Sequence, residues 1–270
     1  MDDTIAVIGA GMMGGAIVKS LLKSGYSGKI IAVDIKPEKL KEQEKLGIAV
    51  SADSQKAAST AEVIFICVKP NNVETVLKQI SSEVADKLVI SIAATVPLKF
   101  LAKFIPTAKI VRIMPNVAAL VQASYTAYCC GKKVTQQDKE TVKALLNRMG
   151  VCEEVDERNM DAITALTGSG PGYISIIIEA LMYAGLKVGL PRDVAMYGAA
   201  QTVLGTGKLV LDLHEHPSKI KDMVTTPGGT TIEAIYELEG SSIRQSLMRA
   251  IEQAAKKSQL IREALGVNSE

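Results

Sequence analysis

Ile5-Ala6-Val7-Ile8-Gly9-Ala10-Gly11-Met12-Met13-Gly14 is the stretch that decides the fold. Four apolar residues read as a buried strand, three glycines follow at G-x-G-x-x-G spacing, and a helical pattern begins at once. In that context each glycine has its own reason. Gly9 permits a tight turn, Gly11 lets the backbone approach a pyrophosphate, and Gly14 lets the helix lie close to the sheet. The phosphate then meets a helix N-terminus, where free N–H groups and the positive end of the macrodipole favour an anion. Ile8, Gly9, Ala10, Gly11, Met12, Met13 and Gly14 are therefore candidate contacts of a dinucleotide cofactor.

Working outward, Asp34 ends the next strand, 20 positions after Gly14, where a carboxylate can accept hydrogen bonds from an adenosine ribose and favour NADH. Two residues on, Lys36 can instead hold a 2′-phosphate or be a solvated first-turn lysine, so NADH against NADPH stays open. Strands are expected at Thr4–Ile8, Lys29–Val33, Glu62–Val68, Lys87–Ile92, Lys109–Ile113 and Tyr125–Cys129. Most are apolar throughout and separated by helix-sized segments, the pattern of a parallel sheet covered on both faces. Ligands in such sheets sit at the carboxyl ends of the strands. This places Val68, Lys69 and Pro70, and then Ala93 and Ala94, at the cofactor crevice. Lys69 also reads as a surface residue, and the alanines as ordinary packing.

Past about Asp156 the strand signal stops. Pro171, Pro191 and Pro217 each precede a helical pattern, as proline does in a first helical turn. The run Gly172–Val188 is apolar almost all round, with Glu179 nearly its only charge. A helix of that kind must be covered on every side; a partner subunit is the expected cover, with the centre of a monomeric bundle as the alternative. The expected fold class is α/β: an N-terminal Rossmann-like doubly wound, mostly parallel sheet (residues 1–156), followed by an all-α C-terminal domain (157–270) that binds substrate and dimerises.

Composition narrows the function. The 270 residues carry 31 basic and 29 acidic side chains, a formal charge of +2, which leaves no electrostatic footprint for nucleic acid. No apolar run reaches the roughly 18 to 20 residues that span a bilayer, and Met1-Asp2-Asp3-Thr4 lacks the basic start of a signal peptide; a cytoplasmic enzyme is expected. Cys67, Cys129, Cys130 and Cys152 lie in strand-like runs at no metal-ligand spacing, so they read as buried free thiols. His214 and His216 have no nearby ligand set, and no metal is expected.

The second glycine-rich turn is Thr225-Thr226-Pro227-Gly228-Gly229-Thr230-Thr231-Ile232-Glu233. Thr230 and Glu233 have capping-box spacing, which puts Thr230 at the N-cap and Thr231 at the first helical position. Gly228 and Gly229 keep the approach clear, so a small carboxylate fits at the exposed N–H groups. A plain capped helix after a glycine turn fits the same residues.

From Pro217-Ser218-Lys219-Ile220 through Val224–Thr231 to Ala234-Ile235 and Leu238-Glu239, the sequence resembles the signature of the pyrroline-5-carboxylate reductase family. The resemblance extends over essentially the whole chain, through the opening glycines, Val68-Lys69-Pro70, Met114-Pro115-Asn116, and Asp161-Ala162 to Leu166–Pro171. It implies reduction of Δ1-pyrroline-5-carboxylate to proline by NADPH or NADH, the last step of proline biosynthesis. It also implies a helical domain intertwined with its partner in a homodimer at least, with a larger assembly of dimers open, and active sites where the two domains meet. Thr231 would contact the ring nitrogen, with backbone N–H groups around Gly229 and Thr230 on the carboxylate and Glu157 and Asn116 near the nicotinamide. Ser54 stands where the family often has an asparagine on the adenosine ribose, and Val117-Ala118 replaces its usual Thr-Pro.

The chemistry suits such a site. A protonated C=N bond accepts a hydride readily, so the protein has mainly to orient two reactants, an effect that can lower a barrier by up to ~7 to 11 kcal/mol. Thr231 is then an orienter that relays a proton from water. A hydroxyacid dehydrogenase of the same two-part plan is the nearest rival, but its catalytic lysine has no counterpart before Lys187. A noncatalytic dinucleotide-binding redox sensor is the rival from another class; Lys256, Lys257 and Arg262, interleaved with Glu252 and Glu263, read instead as a solvated helix face.

Overall fold

A computed structural model describes residues 3–264; the reading of Met1-Asp2 and the chain-end bounds 1 and 270 lie outside the described residues. The chain forms two compact units: residues up to Ser169 together with those from Glu252 onward, and Gly170–Ile251.

In the first unit the elements run β1 Ile5–Ile8, α1 Met12–Lys23, β2 Ile30–Val33, α2 Pro37–Glu44, β3 Ala49–Ser51, α3 Ser54–Thr60, β4 Val63–Ile66 and α4 Pro70–Ile80. They continue β5 Leu88–Ser91, α5 Leu98–Phe104, β6 Lys109–Met114, β7 Ser124–Cys130, α6 Gln136–Leu146, β8 Gly150–Glu154 and α7 Met160–Ile163. One eight-stranded sheet has the order β3-β2-β1-β4-β5-β6-β7-β8. All neighbours are parallel except β6 and β7, which a 3-10 turn at Val117–Val121 joins as an antiparallel pair. The order reverses between β1 and β4, so the loops after these two strands flank the crevice of a doubly wound sheet.

Alternation along β1 divides the core. Ile5 and Val7 pack with Ile17 and Leu21 of α1 and Val142 and Leu145 of α6. Ala6 and Ile8 pack with Ala58 of α3, Val73 and Leu77 of α4, and Leu101 of α5 on the other face. Such two-sided burial explains the uniformly apolar central strands. The six expected strands are present within a few residues. β3 and β8, which were not expected, are the two edges of the sheet, and their half-exposed sequences AVS and GVCEE are too short or too polar to stand out. An edge strand needs no second apolar face.

The second unit contains α8 Gly170–Lys187, α9 Arg192–Leu213, α10 Pro217–Met223 and α11 Thr230–Glu239, and α12 (Ile243–Ala264) starts there and ends in the first unit. Pro171 and Pro217 lie in first turns, whereas Pro191 is at the cap position before α9 rather than inside the helix. α8 and α9 approach closely at Gly185, where an added Cβ would stand 2.8 Å from that of Ala195. In the single chain Ile176, Leu181, Met196, Tyr197, Leu204 and Leu211 all remain exposed. Within the first unit, Ser258 and Arg262 of α12 donate to the buried carboxylate of Asp161 at 2.7 and 2.8 Å.

Candidate active site

The first glycine turn is shaped by close approach. Gly9 has φ +102 and donates its N–H to the Val33 carbonyl at 2.7 Å, and a Cβ there would lie 2.7 Å from the Cys67 carbonyl group. At Gly14 a Cβ would lie 2.0 Å from the Gly9 oxygen, which no side chain tolerates. Gly11, the N-cap of α1, carries no side-chain cap, and α1 has no acidic residue in its first turn. The first-turn N–H groups are therefore open to an anion. A Cβ on Gly11 would meet only the Lys39 ammonium, at 3.5 Å. Met12 beside it is exposed and Met13 half-buried. This cradle fits a pyrophosphate.

Asp34 is buried at the end of β2. It accepts the Lys36 backbone N–H at 3.0 Å and faces the Lys39 ammonium at 3.5 Å. Lys36 itself is exposed at the N-cap of α2. Ser54 begins α3, half-buried, after the N-cap Asp53. Val68 follows β4, exposed Lys69 is the N-cap of α4 and Pro70 its first residue. Ala93 and Ala94 follow β5, and next to them stands a feature with no sequence signal: buried Thr95 holds φ +67. A β-branched residue in the left-handed region is strained, and such strain gathers at functional loops.

Asn116, after β6, is a clasp. Its Oδ1 accepts from Ala118 N–H and its Nδ2 donates to the Thr167 carbonyl, both at 3.0 Å. Thr167 lies in a π-helical turn, Thr164–Gly168, a type frequent at functional sites. Glu157 Oε1 accepts from the Leu98 backbone N–H at 2.8 Å and from Arg112 Nη1 at 3.0 Å. Arg112 is 1% exposed on β6, and its Nε and Nη2 have no hydrogen-bond partner. Sequence reasoning missed it because a lone arginine inside a strand gives no hint of its carboxylate 45 positions away.

In the second unit, Gly228 has φ +68 in open space. Gly229 donates its N–H to the Thr226 carbonyl at 3.0 Å, and a Cβ on it would meet Thr226 Oγ1 at 2.4 Å. The expected capping box is not formed: Gly229 (φ −81, ψ 167) is the N-cap of α11, and Thr230 is already helical. Because the turn closes through Gly229, the helix begins one residue earlier and Thr230 Oγ1 no longer lies where a cap must. No side-chain cap therefore occupies the first-turn N–H groups. Half-buried Thr231 is the second residue of that turn.

Among the described residues no cluster of three His, Cys, Asp or Glu is arranged for a metal, and His216 caps α10 by accepting from Ser218 N–H at 3.2 Å. Burial pushes up the thiols of Cys67, of Cys129 to about 12 and of Cys130 to about 11, with nearby carboxylates adding to the last two. Unionised thiols of this kind are poor nucleophiles.

A doubly wound sheet with an open glycine cradle and an acidic residue after its second strand defines a dinucleotide-binding protein. Residues 4–95 match the family described as NADP oxidoreductase, coenzyme F420-dependent, and 157–261 match pyrroline-5-carboxylate reductase dimerisation. The chain is 39% identical to the pyrroline-5-carboxylate reductase of Methanosarcina acetivorans over 95% of its own length and 97% of the relative's. For the Escherichia coli enzyme the figures are 38%, 96% and 98%. A crystal structure of Plasmodium falciparum pyrroline carboxylate reductase with NADP bound superposes with a TM-score of 0.87 at 29% identity, covering 96% of this chain and 98% of that one. The chain belongs to the pyrroline-5-carboxylate reductase family. The dimerisation match and the exposed apolar faces of α8 and α9 agree in making it a homo-oligomer.

Proposed function

We propose that the protein reduces Δ1-pyrroline-5-carboxylate to L-proline with NADPH or NADH, as the last step of proline biosynthesis. The observation that carries this reading is the uncapped N-terminus of α11 behind Gly228 and Gly229, with Thr231 on its first turn, in a chain of this family. In this reading Ile8–Gly14, Asp34, Lys36, Ser54, Val68–Pro70, Ala93, Ala94 and Asn116 hold the dinucleotide. Gly228, Gly229, Thr230, Thr231 and Glu157 serve the substrate.

When bound, the dinucleotide would supply a hydride to the carbon of the C=N bond. Free N–H groups at the start of α11 hold the substrate carboxylate, a role suited to a helix end. The Gly229 N–H is engaged in its turn, so that role falls to Thr230 and the residues after it. The Thr231 hydroxyl hydrogen-bonds the ring nitrogen and relays a proton to it from water, leaving a secondary amine. Glu157, fixed by Arg112 and Leu98, keeps one oxygen for the site.

We divide the chain functionally at 156/157, with the helical part binding substrate and forming a homodimer at least, in the cytoplasm and without nucleic acid or membrane as partner. No helix among the described residues is long and apolar enough to cross a membrane. Against the hydroxyacid dehydrogenase reading, α8 contains no lysine before Lys187.

Oxidation of NADPH and NADH, followed side by side with Δ1-pyrroline-5-carboxylate, tests the reaction; failure with both cofactors overturns it. Thr231→Ala is expected to fold and bind dinucleotide but to lose about 100-fold or more in turnover. Wild-type rates in that variant would refute the role of Thr231.

A further inference from the structure

The adenosine end of the cofactor site contains a cation that no sequence pattern singles out. We infer that Lys39, not Lys36, is the specificity-determining residue for the coenzyme: it neutralises Asp34 and receives a 2′-phosphate, so that NADPH is accepted where the carboxylate alone would select NADH. This inference rests on the dinucleotide reading above.

Three observations support it. Asp34 is held from two sides, by the Lys36 backbone N–H on Oδ1 and by the Lys39 ammonium 3.5 Å from Oδ2. A bare carboxylate after β2 suits a ribose 2′-hydroxyl and repels a 2′-phosphate, whereas one already paired with an ammonium carries little net charge toward the ligand. The same ammonium stands 3.5 Å from the open side of Gly11, so it lies between the phosphate turn and the ribose carboxylate.

Lys39 also starts from a fixed base. It is the third residue of α2, and the buried Gln43 of that helix packs its Nε2 3.2 Å from where a Cβ on Gly15 would be, holding α2 against α1. Its side chain is 40% exposed, so the ammonium can meet an arriving phosphate on its solvent side while it stays beside Asp34. Lys36 touches Asp34 only through its backbone, and its exposed side chain caps nothing.

The test is calorimetric titration of the full-length protein with 2′,5′-ADP and with 5′-AMP, alongside kcat/KM for NADPH and NADH. Lys39→Met should weaken 2′,5′-ADP about tenfold or more, as loss of a charge-assisted phosphate contact does, while 5′-AMP changes less than about threefold. Lys39→Arg should restore 2′,5′-ADP binding, and Lys36→Met should weaken it by a smaller factor than Lys39→Met does. The same selective loss should appear in kcat/KM for NADPH. An unchanged ratio of the two affinities in Lys39→Met, or a larger effect from Lys36→Met, overturns the assignment. Binding of neither ligand to the wild-type protein overturns the dinucleotide reading itself, and this inference with it.

Discussion

Two glycine turns lead into two helices in this chain, and they are built on opposite principles. Between Gly9 and Gly14 the glycines are required by neighbours: the Gly9 oxygen would lie 2.0 Å from a Cβ on Gly14, and the Cys67 carbonyl 2.7 Å from one on Gly9. At Gly228 there is no neighbour within 4 Å, and only the backbone angle asks for glycine. The first turn is a packing solution that also leaves a phosphate cradle. At Gly228 the second is a conformational solution that clears space for a ligand, with Gly229 beside it closely packed against Thr226. Damage to the first should therefore spread into the fold, while damage to the second should stay local.

Gly14→Ala is the harshest way to break that contrast. Its methyl must push α1 off β1, and overpacking of this kind costs about 1–3 kcal/mol or more. The variant should melt several degrees lower and lose 5′-AMP binding in calorimetry; a wild-type melting temperature would show that the cradle is less rigid than its geometry. Gly228→Ala should cost only about 1–2 kcal/mol, the penalty of a left-handed residue with a side chain. Here the expected signature is a raised KM for the imine with nucleotide affinity unchanged, and Gly228→Asn should recover much of the loss because asparagine tolerates that region.

The smallest effect sharpens the comparison through pH. Cys67 lies against the first turn, and burial raises its thiol above the ordinary 9.0, as it raises those of Cys129 and Cys130. A thiol held neutral by folding contributes stability that is fully present below its unfolded value and is lost as the pH rises toward the folded one. Melting temperature should accordingly hold up to about pH 9 and decline from there toward pH 11. In Cys67→Ala the decline should be shallower. An identical slope would mean that this thiol contributes nothing to it.

Much of this is legible in the sequence. The order strand, glycine turn, helix, strand, acid follows from local sequence, because each feature is set by residues within one or two turns of each other. The central strands were legible because burial on both faces makes them uniformly apolar; β3 and β8 were not, since edge strands carry mixed residues. The turn before α11 was visible as a turn, but its cap was misplaced by one residue. Spacing alone could not tell that the Gly229 N–H closes on Thr226 and brings the helix start forward.

Sequence by itself determined the doubly wound half, the helical half and the two glycine turns, because strand, helix and turn preferences are short-range and their periods can be read along the chain. Tertiary structure alone decided which charges meet. Arg112 finds Glu157 across 45 residues, and Asp34 is met by the ammonium of Lys39 and only by the backbone of Lys36. Such pairings depend on where the sheet and helices bring long side chains together, and no periodicity along the chain encodes that convergence.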